Sequence, residues 1–407
     1  MMPDGWNIQT IEEIAKVTSG GTPRRSVDEF WGGRIPWVTT AEVHSNIITD
    51  TVQKITPEGL ENSSAKLFPP ETILMAMYGQ GKTRGQVAKL GIEASTNQAC
   101  AAILLKEGFF SEFYYLFLQS QYENIRKLSN SGGQQNLSAG LVKSILVPVP
   151  PFKEQNKIAK IISAWDKTIS ITEKLLTNSL QQKKSMEQQL LSGKKRLAGF
   201  NEEWRMINFG EVVIETKLGT TERHQGSCVD KSIPLLKMGN LTWGGFTLNS
   251  VELLPIDKVE KSLILTSGDF LFNTRNTPEL VGKSAVWKGQ FLKATFDNNI
   301  NKIRFRPDID PDFICAYLTT GKGRSQIRSL PAGSTSVAAI YWKDLKTLKF
   351  KIPVLAEQRR IASILSTASL EIDTLKQKII CLKQEKNALM QQLLTGKRRV
   401  LIDKDVG

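Results

Sequence analysis

The sequence has few of the residues that form disulfides or bind transition metals. Its 407 residues include 4 cysteines and 2 histidines. The cysteines stand apart and form no CxxC pair, which suits a reducing compartment and argues against both a disulfide framework and a zinc site. The histidines, His44 and His224, share no metal-ligand spacing. We therefore expect no metal site in this chain.

Long apolar runs are also missing. No run reaches the roughly 18 residues that indicate a membrane-spanning helix. The first residues lack the apolar core of a signal peptide. We therefore expect a soluble, cytoplasmic protein that has no membrane partner.

No group of side chains predicts catalysis. Residues 76–83 read AMYGQGKT, close to the phosphate-binding loop GxxxxGK[ST], but Ala76 replaces its first glycine and no helical pattern follows. Residues 149–152 read VPPF and are similar to an amino-methyltransferase motif, but Val149 cannot accept the hydrogen bond that this chemistry needs. We therefore expect no catalytic residue and no cofactor bound by this chain. A loop that touches DNA phosphate is the better interpretation of 76–83.

Positive charge is abundant. Lysine and arginine number 54 against 40 acidic residues, which gives a formal net charge of +14. A hydrophobic fraction of 40% is enough to build packed cores. Such a charge favours a polyanion such as nucleic acid as the partner, with an ordinary basic protein as the alternative.

A gapless internal repeat organises the chain. The stretch EQNKIAKIIS begins at Glu154, and EQRRIASILS begins 203 residues later at Glu357. The copies close as QQLLSGKKRL and QQLLTGKRRV with the same offset. Each copy follows a proline and ends at a glycine before a run of cations, which are helix start and stop signals. We therefore predict long helices over 154–193 and 357–396.

Each predicted helix carries an apolar stripe with a heptad spacing, which needs a partner helix. We predict that the two helices pair antiparallel, so that the numbers of facing residues sum to about 550 and a two-fold axis passes near Glu173 and Lys376. Lys183 and Lys386 interrupt the two stripes at the same position, and we expect both to extend to solvent. The alternative is that they set the register or meet acidic groups of a partner subunit. The predicted interface residues are Ile158, Ile162, Trp165, Ile169, Leu190, Ile361, Leu365, Ile372, Leu375, Leu382 and Leu393.

The segments between the helices also resemble each other. Trp6 matches Trp204 at an offset of 198, and the Ile-Pro pairs at 35–36 and 233–234 keep that offset. Short apolar runs at 72–77, 99–105, 269–272 and 302–305 predict strands, and 109–128 and 312–328 have helical spacing. We predict an α+β fold with two similar mixed α/β domains, separated and joined by two long antiparallel coiled-coil helices. The predicted segments are 1–150, 151–198, 199–352 and 353–407.

Basic and amide side chains gather in the predicted loops. Arginine, asparagine and glutamine make bidentate hydrogen bonds to base edges, and lysine and arginine also bind phosphate. The alternative for each residue is an ordinary solvated surface position. The candidate DNA-binding residues are Arg24, Arg25, Lys82, Arg84, Gln134, Gln135, Arg223, Asn273, Arg275, Asn276 and Lys283.

Together these patterns resemble the specificity subunit of type I restriction–modification enzymes over the whole length. The resemblance rests on Pro-x-x-x-Glu-Gln-x-x-Ile-Ala at 150–159 and 353–362, and on the shared Gln-Gln-Leu-Leu-x-Gly-Lys-x-Arg endings. It also rests on GDFLFNTR at 268–275 and LVGKSAVW at 280–287.

This resemblance implies two target recognition domains, each of which reads one half of a split site in double-stranded DNA. The antiparallel helices would be the spacer and docking surface for two modification subunits, which transfer a methyl group from S-adenosylmethionine to adenine N6. Restriction subunits that translocate DNA with ATP and Mg²⁺ would join them, and this chain would do no chemistry itself. The alternatives are a DNA methyltransferase or ATPase in its own right, and a coiled-coil adaptor that does not bind DNA.

Overall fold

The computed structural model describes residues 3–79, 82–128, 136–223, 231–333 and 338–402. The chain divides into two compact units, one of Met1–Glu173 with Gln377–Gly407 and one of Lys174–Lys376. Each unit therefore contains one mixed domain, the first half of one long helix and the second half of the other. The division into four consecutive segments stays a prediction.

Within the described residues, the first domain has ten strands and five short α-helices. The strands are β1 (Asn7–Thr10), β2 (Ala15–Ser19), β3 (Trp31–Val38), β4 (Ile47–Ile48), β5 (Gln53–Ile55), β6 (Ile73–Ala76), β7 (Val87–Leu90), β8 (Ser95–Thr96), β9 (Cys100–Leu105) and β10 (Leu146–Val149). The helices are α1 (Ile11–Ile14), α2 (Pro57–Glu61), α3 (Ser111–Ser120), α4 (Tyr122–Leu128) and α5 (Ala139–Lys143).

The strands of the first domain form a five-stranded sheet in the order β2-β9-β6-β7-β4, a three-stranded sheet β5-β3-β8 and a ribbon β1-β10. Every residue of β6 is buried, because the sheet is covered on both faces. One face packs on α3 through Phe113 and Leu116, and the other packs on a second core around Val38 and Phe68. The strands predicted at 72–77 and 99–105 are β6 and β9.

The first long helix, α6 (Phe152–Leu190), follows this domain and leads into the second one. The strands of the second domain are β11 (Arg205–Asn208), β12 (Val213–Leu218), β13 (Ser232–Leu236), β14 (Glu252–Pro255), β15 (Phe270–Asn273), β16 (Arg275–Asn276), β17 (Ser284–Val286), β18 (Thr295–Phe296), β19 (Ile300–Phe305), β20 (Ala332–Gly333), β21 (Ala338–Ala339) and β22 (Lys349–Ile352). Its helices are α7 (Pro311–Thr319), α8 (Gly321–Arg328) and α9 (Trp342–Leu345), and the second long helix, α10 (Leu355–Leu393), comes after them.

The two domains share one topology. The order β12-β19-β15-β17 repeats β2-β9-β6-β7, the sheet β14-β13-β18 repeats β5-β3-β8, and the ribbon β11-β22 repeats β1-β10. The strands predicted at 269–272 and 302–305 are β15 and β19. The helical stretches at 109–128 and 312–328 are each split in two, the second at Gly321, whose φ of +48° cannot continue a right-handed helix. The predicted α+β class is confirmed.

The long helices are 39 residues each. They begin two residues before and end three residues before the predicted limits. Gly193 and Gly396 follow their ends with φ of +69° and +73°, a left-handed turn that stops a helix and favours glycine.

The predicted antiparallel pairing is confirmed inside each unit. In the first unit, Lys386 Nζ lies 2.6 Å from the Asp166 carboxylate, and Lys383 Nζ lies 2.8 Å from that of Glu173. In the second unit, the Ser179 hydroxyl donates a hydrogen bond to the Glu371 carboxylate at 3.1 Å. The late residues of α10 therefore face the early residues of α6, and the numbers of each pair sum close to the expected value.

The expectation that both stripe lysines extend to solvent was wrong for Lys386. Its side chain is only 14% exposed and is paired with Asp166 across the helix interface. Lys183 Nζ instead lies 3.5 Å from the carboxylate of Glu187, one turn along the same helix. The ion pair of Lys386 matches the alternative in which this position sets the register.

The predicted interface positions are buried or half-buried. Part of the stripe packs against the adjoining domain as well as the opposite helix, because Ile158 and Ile162 share a core with Phe113 and Leu393. The buried positions are Ile158, Ile162, Ile169, Leu190, Ile361, Leu365, Ile372 and Leu393, and the half-buried ones are Trp165, Leu375 and Leu382.

Candidate nucleic-acid interface

In each domain, the connection that leads into a sheet strand packs closely against a short helix. At Gly282, just before β17, a Cβ atom would lie 2.2 Å from Cγ2 of Ile327 in α8, and the φ of +86° also favours glycine. At Gly85, just before β7, a Cβ atom would lie 3.5 Å from Cγ2 of Ile125 in α4, with a φ of +83°. Glycine at both positions lets the basic residues of the strand connection and of the helix share one surface.

In the first domain, hydrogen bonds join this helix to the connection between β6 and β7. The Tyr122 hydroxyl donates to the backbone carbonyl of Lys82 at 2.7 Å, and Arg126 Nη1 donates to the Tyr122 hydroxyl at 3.1 Å. Lys82 is exposed and Arg84 is half-buried on the same connection. The structure thus places these two predicted residues together, beside a basic residue that the sequence interpretation missed.

Arg24 and Arg25 lie before β3 in the same domain and are both exposed. The guanidinium of Arg25 lies 3.8 Å from the ring centroid of Trp31, and its Nη1 donates to the Gln53 side chain at 2.7 Å. The backbone carbonyl of Arg24 accepts a hydrogen bond from Trp31 Nε1 at 3.1 Å. The cation–π contact with Trp31 holds the Arg25 guanidinium at the surface, where it could bind a phosphate or a base edge.

In the second domain, the position of Asn273 does not fit its prediction as a DNA-binding residue. Its side chain is fully buried, and its amide donates to the backbone carbonyls of Arg275 at 3.0 Å and Asn299 at 3.1 Å. Its carbonyl accepts a hydrogen bond from the half-buried amide of Asn276 at 3.0 Å. The carbonyl of Asn276 in turn accepts from the backbone N–H of Thr277 at 2.9 Å. These two asparagines shape the loop, and Asn273 cannot read a base.

Arg275 is exposed on this loop. It pairs with Ala339 in the short strands β16 and β21. Lys283, half-buried, lies on the neighbouring connection, where the backbone N–H of Asn273 donates to its carbonyl at 2.8 Å. Burial lowers the pKa of the Lys283 ammonium below its ordinary value, so that an anion nearby would stabilise its charge.

Arg223 lies at the surface but is held by its own domain. Its Nη1 donates to the backbone carbonyl of Glu222 at 2.8 Å, and its Nη2 lies 3.7 Å from the buried carboxylate of Asp297. A guanidinium that compensates a buried carboxylate has fewer donors left for DNA. Gln134 and Gln135 lie outside the described residues.

The sequence interpretation also missed a stacked arginine in the second domain. The guanidinium of Arg324 in α8 lies 4.2 Å from the ring centroid of Trp243. The backbone N–H of Gly244 donates to the carbonyl of Ser284 at 2.9 Å, so that the residues that follow Trp243 and Lys283 in the chain are hydrogen-bonded to each other. Burial, together with Arg328, lowers the pKa of Arg324. The sequence did contain one signal, which is that Arg324 and Arg328 lie four residues apart on a short helix. Like charges at this spacing repel each other, and a bound polyanion would reduce that repulsion.

Reactive groups of other kinds are few in the parts of the chain that the structure describes. Those parts hold no group of three or more His, Cys, Asp or Glu residues that could bind a metal ion. Burial raises the pKa of the Cys100 and Cys315 thiols to about 12, which keeps them protonated and unreactive. None of the described helices is long and apolar enough to cross a membrane.

These features define a class of protein with two repeated α+β domains, each joined to a long helix and each carrying basic and aromatic residues at the same place in the fold. The sequence pattern of the type I restriction modification DNA specificity domain matches residues 3–182 and 201–384. The chain therefore belongs to this family.

Relatives in the family cover nearly the whole chain. The specificity subunit of the type I restriction enzyme MjaVIII from Methanocaldococcus jannaschii is 25% identical over 98% of this chain and 94% of its own. The specificity subunit of the EcoKI enzyme from Escherichia coli is 22% identical over 97% of this chain and 88% of its own.

Solved structures have the same fold. The S subunit of a type I restriction–modification system from M. genitalium matches with a TM-score of 0.59 and 14% identity, over 96% of each chain. The HsdS subunit from Thermoanaerobacter tengcongensis matches with a TM-score of 0.53 and 16% identity, over 98% of each chain.

Proposed function

We propose that this chain is the specificity subunit of a type I restriction–modification complex and that it reads a split site in double-stranded DNA. One observation carries the proposal. The two domains have one topology, but the residues at the matching strand connections differ, with Lys82 and Arg84 in one and Arg275 and Lys283 in the other. A repeated frame with different basic surfaces fits two readers of two different half-sites.

The chemistry in this proposal belongs to partner subunits. Two modification subunits transfer the methyl group of S-adenosylmethionine to adenine N6, and restriction subunits use ATP and Mg²⁺ to move along DNA. The long helices are their docking surface and the spacer between the domains. This chain directs the reaction by where it binds, and it needs no cofactor of its own.

The test is to co-express the chain with its modification subunits and to map N6-methyladenine in the host DNA. We expect one split sequence, with two specific parts separated by unspecified bases. Residues 200–352 are then exchanged for the same segment of a relative that has a different target. The exchange should change one half-site and leave the other half-site and the spacer intact.

Three other results would contradict the proposal. Methylation of DNA by the purified chain with S-adenosylmethionine alone would indicate a methyltransferase. Absence of salt-dependent DNA binding, both alone and with the modification subunits, would indicate an adaptor. An exchange of 200–352 that changes both half-sites, or neither, would exclude two independent readers.

A further inference from the structure

A buried glutamate at the start of each long helix binds an arginine from far along the chain. In the first unit, Glu154 is 1% exposed. Trp6 Nε1 donates to its carboxylate at 3.2 Å, Arg399 Nε donates at 3.3 Å, and Arg399 Nη2 makes a second, shorter contact. The guanidinium and the indole thus both serve one buried carboxylate.

The second unit repeats this arrangement with its own residues. Glu357 is fully buried and accepts hydrogen bonds from Arg196 Nε and Nη2, both at 2.8 Å. Trp204 Nε1 donates to the same carboxylate at 3.2 Å. Hydrogen bonding to Glu357 raises the pKa of Arg196, and hydrogen bonding to Glu154 raises that of Arg399. We call each set of glutamate, arginine and tryptophan a clasp.

Each clasp reaches the core of one recognition domain. The Trp6 ring makes an edge contact with Phe113 of α3, at a centroid distance of 6.4 Å. The Trp204 ring makes the matching contact with Phe313 of α7, at 6.0 Å. Both phenylalanines are fully buried in the core of their domain. The arginine is thus linked, through the glutamate and the tryptophan, to α3 in the first domain and to α7 in the second.

A buried carboxylate is unfavourable unless it keeps its charged donor. In the first unit that donor comes from the segment after α10, and in the second unit from the segment after α6. The neighbouring cations of these segments, Arg398 and Lys195, are exposed. The segment after each long helix therefore supplies the charged donor for the buried glutamate at the start of the other long helix.

We propose that Arg399 and Arg196 are positioning residues, each for the recognition domain of its own unit. Arg399 sets how the first domain is held on the start of α6, and Arg196 sets how the second domain is held on the start of α10. Accuracy at each half-site depends on one clasp and not on the other. This inference rests on the proposed function, because it assigns one clasp to each half-site.

The experiment uses the full chain co-expressed with its modification subunits. Arg399→Ala and Arg196→Ala are compared with Arg398→Ala and Lys195→Ala, which remove exposed cations from the same two segments. For each variant, methylation is counted at the exact site and at sites with one changed base in either half. The domain exchange of 200–352 identifies which half belongs to which domain.

We expect Arg399→Ala to raise methylation at altered first half-sites by roughly tenfold relative to the exact site, the order expected when a buried carboxylate loses a charged donor. Arg196→Ala should do the same at the second half-site only, and the two controls should change neither. Arg399→Lys keeps the charge and should restore part of the accuracy. Equal loss at both half-sites in either variant, or no loss, would overturn the proposal.

A second measurement needs neither DNA nor methylation. Backbone hydrogen exchange should become faster in α3 for Arg399→Ala and in α7 for Arg196→Ala, each without the other. If the wild-type complex methylates no split site, the proposed function fails, while this measurement still decides whether the clasps act separately. Exchange that rises equally in both helices would show a general loss of stability and would contradict the clasps as separate devices.

Discussion

The side-chain carbonyl of Gln155 accepts a hydrogen bond from the backbone N–H of Phe110, at an N···O distance of 2.8 Å. The amide of Gln155 donates to the carbonyl of Pro150 at 2.8 Å. Gln358 repeats both contacts, with the N–H of Asp310 at 2.8 Å and the carbonyl of Pro353 at 2.9 Å. Each glutamine thus ties the start of a long helix to the residue that precedes a short helix of its domain, α3 in the first domain and α7 in the second.

We expect Gln155→Ala and Gln358→Ala each to lower the free energy of unfolding by about 1–3 kcal/mol, because buried backbone groups lose their partners. Gln181→Ala, at an exposed position of α6, is the control and should change it by less than about 0.5 kcal/mol. Urea unfolding of the full chain, followed by circular dichroism, measures the difference. Equal effects of Gln155→Ala and the control would show that this contact contributes nothing.

The ion pair between Lys386 and Asp166 predicts a charge-reversal rescue. Lys386→Glu should destabilise the helix pair, and adding Asp166→Lys should recover a coupling free energy of about 0.5–1 kcal/mol, since Asp166 is partly exposed and screened by solvent. Lys378→Glu, at an exposed position of the same helix, should not be rescued by Asp166→Lys. Thermal unfolding of the wild type, the two single variants Lys386→Glu and Asp166→Lys, and the double variant measures this coupling. Purely additive effects would exclude the pair as a register contact.

Arg275 and Asn273 lie two residues apart and should behave differently. Arg275→Ala should weaken discrimination at one base pair by about 1–3 kcal/mol if the guanidinium pairs with guanine. If it binds phosphate, all sequences should weaken together and the salt slope should fall by about one. Binding titrations against a set of single-base variants at two salt concentrations separate the two cases.

Asn273→Ala should instead lower the free energy of unfolding by about 1–3 kcal/mol, because the carbonyls of Arg275 and Asn299 each lose a donor and the Asn276 amide loses its acceptor. The relative affinities for different sequences should stay the same at a temperature where the variant is folded. A changed base preference without a loss of stability would contradict the role in shaping the loop.

Gly282 and Gly289 form a matched pair of glycines with positive φ, +86° and +81°. An alanine at Gly289 meets nothing within 4 Å, so only backbone strain of about 1–2 kcal/mol is expected. The Cβ of an alanine at Gly282 would lie 2.2 Å from Cγ2 of Ile327 in α8, so that the Ile327 side chain must also shift. We expect Gly282→Ala to lose more stability than Gly289→Ala and to weaken DNA binding, because α8 carries Arg324. Equal DNA affinities of the two variants would place the interface elsewhere.

The pair of long helices could be predicted from the sequence because periodic and repeated residue patterns specify it. The heptad stripes and the repeat at Glu154 and Glu357 are local or repeated patterns, and they predict the helices and their antiparallel pairing. The burial of Asn273 could not be predicted, because an asparagine two residues before an arginine looks the same in the sequence whether its side chain faces a base or a backbone carbonyl. The stacking of Arg324 on Trp243 depends on loops that come together only in the fold.

The clasps could not be predicted from the sequence for a related reason. Their tryptophans, glutamates and arginines all fall at repeated positions, but the repeat pairs each residue with its copy and not with its contact. Arg399 and Glu154 are 245 residues apart, and no spacing rule joins them.

The clasps also set an order for folding during synthesis. Arg196 precedes Glu357 by 161 residues, so the second domain already has its arginine when its glutamate is made. Arg399 follows Glu154 by 245 residues, a delay of roughly 10 to 50 seconds at ordinary rates of translation. The first domain to leave the ribosome is thus the last to be completed. In a chain that stops before Arg399, the second domain would have its complete clasp, whereas the buried Glu154 of the first domain would lack its arginine.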